Sequence, residues 1–168
     1  MDILLYNAIQ ETDEKIENEL LSINRTGIFF APELYINFQL GMFIYNHRNK
    51  IFLGCDEIEW KREQSVNGSG PIDIIFKTEK YTVLIETKLR GEIDTCFRDI
   101  MKLKNLEVNY QRFFCLLSDK FKNGQSRKIL LSEKFNNEIE LIGEKIFPTW
   151  NNWYSTPVYC ELLFYKIN

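Results

Sequence analysis

The sequence predicts an α/β protein of the α+β type, in which helices flank a central mixed β-sheet that contains an antiparallel meander. Two helix-like segments come first, and three strand-like runs follow between residues 51 and 88. A further helix and more strands complete the chain. Helices before and after a block of strands indicate a sheet with helices packed on it.

Composition is typical of one folded domain, residues 1–168, because 45% of the residues are hydrophobic and 27% are charged. No apolar run approaches the roughly 20 residues that cross a bilayer, so we expect no membrane partner. The first residues, MDILLYNAIQETDEK, lack a basic leader, which favours a cytoplasmic protein. The four cysteines are widely spaced and the chain has one histidine, which argues against a structural zinc site.

The first two helices differ in character. Residues 1–27 contain an amphipathic helix with six acidic residues and one basic residue among the first twenty positions. Pro32 suits the first turn of a second helix, PELYINFQLGMFIYNHRN, which is apolar nearly all round and therefore central.

Strand patterns follow from residue 51. The segment 51–63 reads as a first strand, and IDIIF and YTVLIETK read as two more, joined by the turn KTEK. EIDTCFRDIMKLKNLE predicts a third helix with Ile93, Phe97, Ile100 and Met101 on one face. RFFCLLSD is a buried strand, SEKFNNEI a short helix, and 139–147 and 157–167 are two weaker strands.

A four-residue KTEK loop would pair Phe76 with Tyr81 and place Asp73 opposite Leu84. Strand alternation then puts one set of apolar residues on a single face, namely Ile72, Ile74, Phe76, Tyr81, Val83 and Ile85. The other face gathers Asp73, Glu86 and Lys88, with the Cβ atoms of the two acids roughly 7 Å apart or less.

Two carboxylates and an ammonium at this spacing have a specific chemistry. Hard carboxylate oxygens suit Mg²⁺ or Mn²⁺, which also binds phosphate and activates water. Lys88 can orient that water, and the backbone carbonyl of Thr87 is a further candidate ligand. Without a cation, Asp73 and Glu86 would repel each other, which argues against mere surface decoration.

GPID, a twelve-residue gap and then E-T-K resemble the PD-(D/E)xK nuclease superfamily, which has the restriction-endonuclease-like fold. The resemblance spans about residues 30–120 and treats 1–27 and 121–168 as decoration. It implies Asp73 and Glu86 as metal ligands, Lys88 as the catalytic lysine and Glu33 as an additional candidate ligand. It also implies Arg90, on the strand face of Lys88, as a candidate phosphate contact.

Charge distribution adds two more candidates for nucleic-acid contacts. Residues 88–112 hold six bases and four acids, and Arg98 and Lys102 lie in the helix of this segment. Two other acid-x-Lys triplets, Asp13-Glu14-Lys15 and Glu59-Trp60-Lys61, lack an acid on a neighbouring strand.

The expected function is therefore Mg²⁺-dependent hydrolysis of nucleic acid, with DNA as the expected substrate. An inactive member of the same fold, binding nucleic acid or protein, is one alternative. A small interaction protein that uses its acidic first helix is another. The size of the chain also leaves action as a homodimer open.

Overall fold

A computed structural model describes residues 1–107, 109–121, 125–150 and 158–168. The helices are α1 (Asp2–Asn24), α2 (Glu33–Asn46), α3 (Arg48–Ile51), α4 (Ile93–Lys104) and α5 (Arg127–Phe135). The strands are β1 (Ile58–Ser65), β2 (Pro71–Thr78), β3 (Thr82–Leu89), β4 (Tyr110–Phe121), β5 (Ile139–Thr149) and β6 (Val158–Ile167). Single 3₁₀ turns lie at Ile28–Phe30 and Asn136–Glu138.

The predicted mixed sheet with an antiparallel meander and flanking helices is confirmed. The described strands form one six-stranded sheet in the order β1-β2-β3-β4-β6-β5, in which only β3 and β4 are parallel. The α4 helix connects these two parallel strands, as a parallel crossover requires.

Each face of the sheet is covered by its own helices. One hydrophobic cluster joins α1 and α2 to the sheet through side chains such as Leu5, Ile9 and Leu40. The second joins α4 and α5 to the opposite face through Ile100 and Leu131. This arrangement has three layers and places the end of β3 between α2 and α4.

Two element predictions are corrected by the structure. The first strand begins at Ile58 instead of residue 51, because α3 and a turn at Gly54, with φ of 74°, occupy the intervening residues. On α4 the buried stripe is Cys96, Ile100 and Leu103, while Met101 is 42% exposed. These buried positions are spaced by four and three residues, so Met101 lies at the margin of the stripe.

The β2–β3 register differs from the predicted one by two residues. Phe76 pairs with Val83 instead of Tyr81, and Ile75 instead of Asp73 lies opposite Leu84. The cause is Thr78, whose Oγ accepts hydrogen bonds from the N–H groups of Lys80 and Tyr81 and so closes a tighter turn. Because the shift is an even number of residues, Glu86 and Lys88 keep the face that was predicted for them.

A second difference concerns the start of β2. Ile72 packs in the α4–α5 cluster with Ile75, so it does not share the face of Ile74 and Phe76. Alternation breaks at Asp73, which is missing from the ladders to both neighbouring strands. Opposite it on β1, Glu63 has a φ of 49°, a left-handed conformation that is uncommon outside glycine. Asp73 therefore lies at a strand irregularity and not within regular pairing.

The described residues after β4 contribute two strands of the sheet. The β6 strand pairs with β4 from Arg112–Ile167 to Phe121–Val158, and β5 pairs with the outer side of β6. Buried side chains of β6, including Leu162 and Phe164, belong to the core beneath α1 and α2. These strands cover what would otherwise be an exposed edge of β4.

None of the helices in the described part of the chain has the length and apolar character needed to span a membrane.

Asp13 generates a prediction about stability. Its side chain is fully buried in α1, and neither carboxylate oxygen has a hydrogen-bond partner among the described residues. Burial, with a smaller contribution from Glu14, raises the pKa of Asp13 well above 3.8. The folded state therefore favours the protonated form. This contribution to stability is complete below the unfolded-state pKa and is lost as the pH rises through the raised pKa.

As the pH rises above the ordinary pKa of an aspartic acid, we accordingly expect the free energy of unfolding to fall more steeply for the wild type than for Asp13→Asn. Urea denaturation monitored by circular dichroism measures both curves. Glu11→Gln, an exposed position on the same helix, serves as the control and should follow the wild type. Parallel curves for the wild type and Asp13→Asn would contradict the account of Asp13.

Candidate active site at the end of β3

Charged side chains from α2, β2, β3 and α4 meet where β3 ends. The Lys88 ammonium lies 3.7 Å from the Glu33 carboxylate and 3.2 Å from that of Asp99. The Glu86 carboxylate forms an ion pair with Lys102. Glu33 and Asp99 thus flank Lys88, and Lys102 lies against Glu86.

Glu86 is the most deeply buried acid of this cluster. Its side chain is 4% exposed because β3 is a central strand covered by α4. The pKa of Glu86 is raised to about 8, mainly by burial and in part by the negative charges of Asp73 and Asp99, while Lys102 offsets part of the effect. The folded protein therefore favours the protonated form of Glu86 near neutral pH, and an additional cation beside it would favour the ionised form.

Lys88 is held from two sides. Burial alone would lower its pKa, but the carboxylates of Glu33 and Asp99 outweigh burial and raise the pKa above its ordinary value. Glu33 is itself fixed, because its second carboxylate oxygen accepts a hydrogen bond of 2.7 Å from the Leu89 N–H. The lysine is consequently a fixed cation in the folded protein.

Asp73 is anchored by the backbone and side chain of β3. One of its carboxylate oxygens accepts hydrogen bonds from the Thr87 N–H, at 2.8 Å, and from the Thr87 hydroxyl, at 3.0 Å. The same hydroxyl contacts the side-chain amide of the buried Asn37 on α2. The strand irregularity thus directs the Asp73 carboxylate toward β3, and its charge acts on both Glu86 and Lys88.

The three basic candidates for nucleic-acid contacts lie in different surroundings. Arg90 follows the end of β3 with a φ of 56°, so alternation no longer places it with Lys88. Its guanidinium lies 3.7 Å from Asp119 and 5.2 Å from the Phe29 ring centre. Arg98 is exposed on α4. Lys102 contacts Glu86 and donates a 2.8 Å hydrogen bond to the carbonyl of Pro71.

Sequence reasoning missed three residues that shape this cluster: Asn37, Gly91 and Asp99. Gly91 matters because a Cβ there would lie 2.4 Å from Lys88 Cγ, so the absence of a side chain leaves room for the lysine. Asp99 had no recognisable signal, since an acid beside a basic residue on a helix is usually solvated. Its role depends on where the β3–β4 crossover places α4.

The acidic side chains at the end of β3 carry the oxygen donors that a hard divalent cation uses. Among the described residues, no three His, Cys, Asp or Glu side chains are grouped closely enough to hold a metal ion alone. Magnesium commonly uses one or two carboxylates and completes its shell with water and phosphate oxygens. Asp73 and Glu86 are two carboxylates of this kind, and the charge of Asp73 acts on Glu86.

The Asp73–Thr87–Asn37 contacts generate a prediction. Thr87→Val keeps the shape of the side chain but removes the hydroxyl, which leaves the Asn37 amide without this partner. We expect a loss of about 1–3 kcal/mol in the free energy of unfolding, measured by urea denaturation. Thr82→Val is the control on the same strand, because no side-chain hydrogen bond of Thr82 is found within the described ranges. Equal stability of the two variants would contradict the role assigned to Thr87.

Comparison with known proteins gives no functional information, so any functional conclusion rests on this cluster. The chain matches no protein family model, no curated protein and no solved structure.

Proposed function

We propose that the chain is a Mg²⁺- or Mn²⁺-dependent nuclease that hydrolyses phosphodiester bonds of nucleic acid, with DNA as the expected substrate. The observation that carries the proposal is the cluster at the end of β3. There the buried Glu86 lies within the electrostatic influence of Asp73, and Lys88 is held by two carboxylates. Perturbed carboxylates beside a fixed lysine are typical of catalytic sites.

The order of elements supports the same proposal. Apart from the one-turn helix α3, the chain from α2 to β4 runs helix, three antiparallel strands, helix and a parallel strand. This is the order of the restriction-endonuclease-like core that the GPID and E-T-K motifs resemble. We therefore propose that fold for residues 30–120, extended by α1 and by the β5–β6 pair.

Asp73 and Glu86 are the proposed metal ligands. Glu33 and the backbone carbonyl of Thr87 are the further candidates, and Glu33 reaches the cluster through Lys88. A divalent cation held there would supply Lewis acidity toward water and phosphate oxygens. The Asp73 carboxylate is held in place by its hydrogen bonds to the backbone and hydroxyl of Thr87.

Lys88 is the residue proposed to orient the attacking water through its ammonium. Glu33 and Asp99 position that ammonium, so a substrate does not have to organise it. Without a bound metal ion, Lys102 forms the ion pair with Glu86. If another cation were bound at Glu86, the Lys102 ammonium would be free to bind a phosphate. Arg98 on the exposed side of α4 is a further candidate phosphate contact.

Cleavage of supercoiled plasmid in Mg²⁺ or Mn²⁺ tests the proposal. We expect the wild type to nick the plasmid, and Glu86→Gln and Lys88→Met to lower the rate by at least about a hundredfold. The matched control is Glu59→Gln with Lys61→Met, which alters an exposed acid-x-Lys triplet whose ion pair spans 3.0 Å on β1. That double variant should cleave like the wild type.

Cleavage that survives in Glu86→Gln and Lys88→Met, or that continues in a chelator, would overturn the proposed mechanism. Metal-independent binding of nucleic acid without cleavage would favour the alternative of an inactive binding module.

Asp99 provides a separate prediction as a positioning residue. Asp99→Asn removes one of the two charges that hold Lys88, so we expect kcat to fall by about tenfold to a hundredfold while KM changes little. Steady-state cleavage of a labelled oligonucleotide measures both constants. Asp94→Asn, an exposed acid on the same helix, is the control. A rise in KM with unchanged kcat would show that Asp99 acts in binding instead.

A further inference from the structure

The outer face of α2 exposes large apolar side chains beside the candidate active site. Leu34, Tyr35 and Phe38 are 51%, 37% and 41% exposed. They lie opposite the helix face that is buried against the sheet through Ile36 and Leu40. Exposed aromatic residues grouped on one face usually mark a contact surface.

A cation lies over one of these rings. The Arg62 guanidinium on β1 is 5.3 Å from the Phe38 ring centre, and Phe38 lies 5.9 Å from the Trp60 ring. No ion pair of Arg62 is found among the residues that the structure describes, and its Nε atom has no hydrogen-bond partner there. Tyr35, Phe38 and Arg62 are referred to below as the α2 aromatic surface.

This surface adjoins the candidate active site along two elements. On α2, Tyr35 and Phe38 follow Glu33 by two and five residues, a rise of about 3 and about 8 Å along the helix. On β1, Arg62 pairs with Ile74, the neighbour of Asp73. The α2 aromatic surface therefore borders the candidate site on the β1 side, where Arg62 lies on the strand next to Asp73.

Acidic residues border the α2 aromatic surface on the side away from the candidate site. Beyond Trp60, a cavity of about 760 Å³ is lined by Glu57, Glu59 and Glu79, with Lys77 as its cation. This acidic region would repel phosphates, whereas Arg62 at the other end would attract them. A polyanion is thus favoured only on the side of the surface that faces the candidate site.

We propose that the α2 aromatic surface stacks the unpaired bases of a single strand, so that the substrate of the candidate site is single-stranded or has a single-stranded flank. The inference rests on the proposed nuclease function. Aromatic rings and arginine planes bind bases by stacking without regard to sequence, but they do so only when the bases are not stacked in a duplex. The expected specificity is therefore for strand state and not for sequence.

Fluorescence anisotropy in a chelating buffer tests this without cleavage. The probes are labelled oligo(dT) of about 15 nucleotides, an abasic phosphodiester of equal length and a duplex of equal length. We expect oligo(dT) to bind more tightly than either of the others. Tyr35→Ala and Phe38→Ala should each weaken oligo(dT) binding by about tenfold or more and leave binding of the abasic probe unchanged.

Tyr159→Ala is the matched control, because Tyr159 is an aromatic residue of β6 with 38% exposure, close to that of Tyr35. It should bind oligo(dT) like the wild type. Thermal unfolding verifies that each variant is folded. If Phe38→Ala does not fold, Tyr35→Ala alone still tests the inference.

Equal affinity for oligo(dT) and the abasic probe would overturn the inference. Unchanged binding by both aromatic variants, or a change only in oligomeric state measured by sedimentation, would also overturn it. Failure of the nuclease proposal is distinguishable, because it appears as absent metal-dependent cleavage while the stacking measurements are unaffected. If Glu86→Gln loses cleavage while the wild type cleaves single-stranded and duplex substrates equally well, the nuclease proposal stands and the stacking surface is rejected.

Discussion

Negative charge buried at the end of β3 is the constraint on which this part of the structure depends. Glu86 is enclosed by the sheet and α4, and Asp73 and Asp99 add their charges to it. A buried carboxylate is tolerated only if its charge is neutralised or offset. Lys102 provides one counter-charge from α4, but burial and the two nearby acids still raise the pKa of Glu86 to about 8, so a further cation is needed to keep this carboxylate ionised near neutral pH. The proposed divalent cation follows from this imbalance.

The surrounding elements hold that charge in a defined arrangement. The α2 helix contributes Glu33 and Asn37, which reach Lys88 and Thr87 from one side of the sheet. The α4 helix contributes Asp99 and Lys102 from the other. Because β3 is paired on both edges, the residues between these helices have little freedom to move. The three-layer fold therefore preorganises the cluster, which is the condition for effective electrostatic catalysis.

The sequence predicted the part of this arrangement that depends on local pattern. Alternation along YTVLIETK placed Glu86 and Lys88 on one face of β3, and the structure places both toward α4. The predicted β2–β3 register was wrong because the Thr78 hydroxyl closes the hairpin with a loop two residues shorter than the expected KTEK loop. Asp73 does not follow simple alternation because the β1–β2 pairing is interrupted at Glu63, which has a positive φ. No residue preference in the sequence indicates this interruption. Contributions from distant segments, such as Asp99 and Asn37, required the helix positions and were not readable from spacing.

The central claim is that Asp73 and Glu86 share a divalent cation, and anomalous diffraction from crystals soaked in Mn²⁺ tests it most directly. The account predicts an anomalous peak within coordination distance of both carboxylates, with the Lys102 ammonium displaced from Glu86. A protein that crystallises in Mn²⁺ with no peak at these residues, and with Lys102 still paired to Glu86, would contradict it.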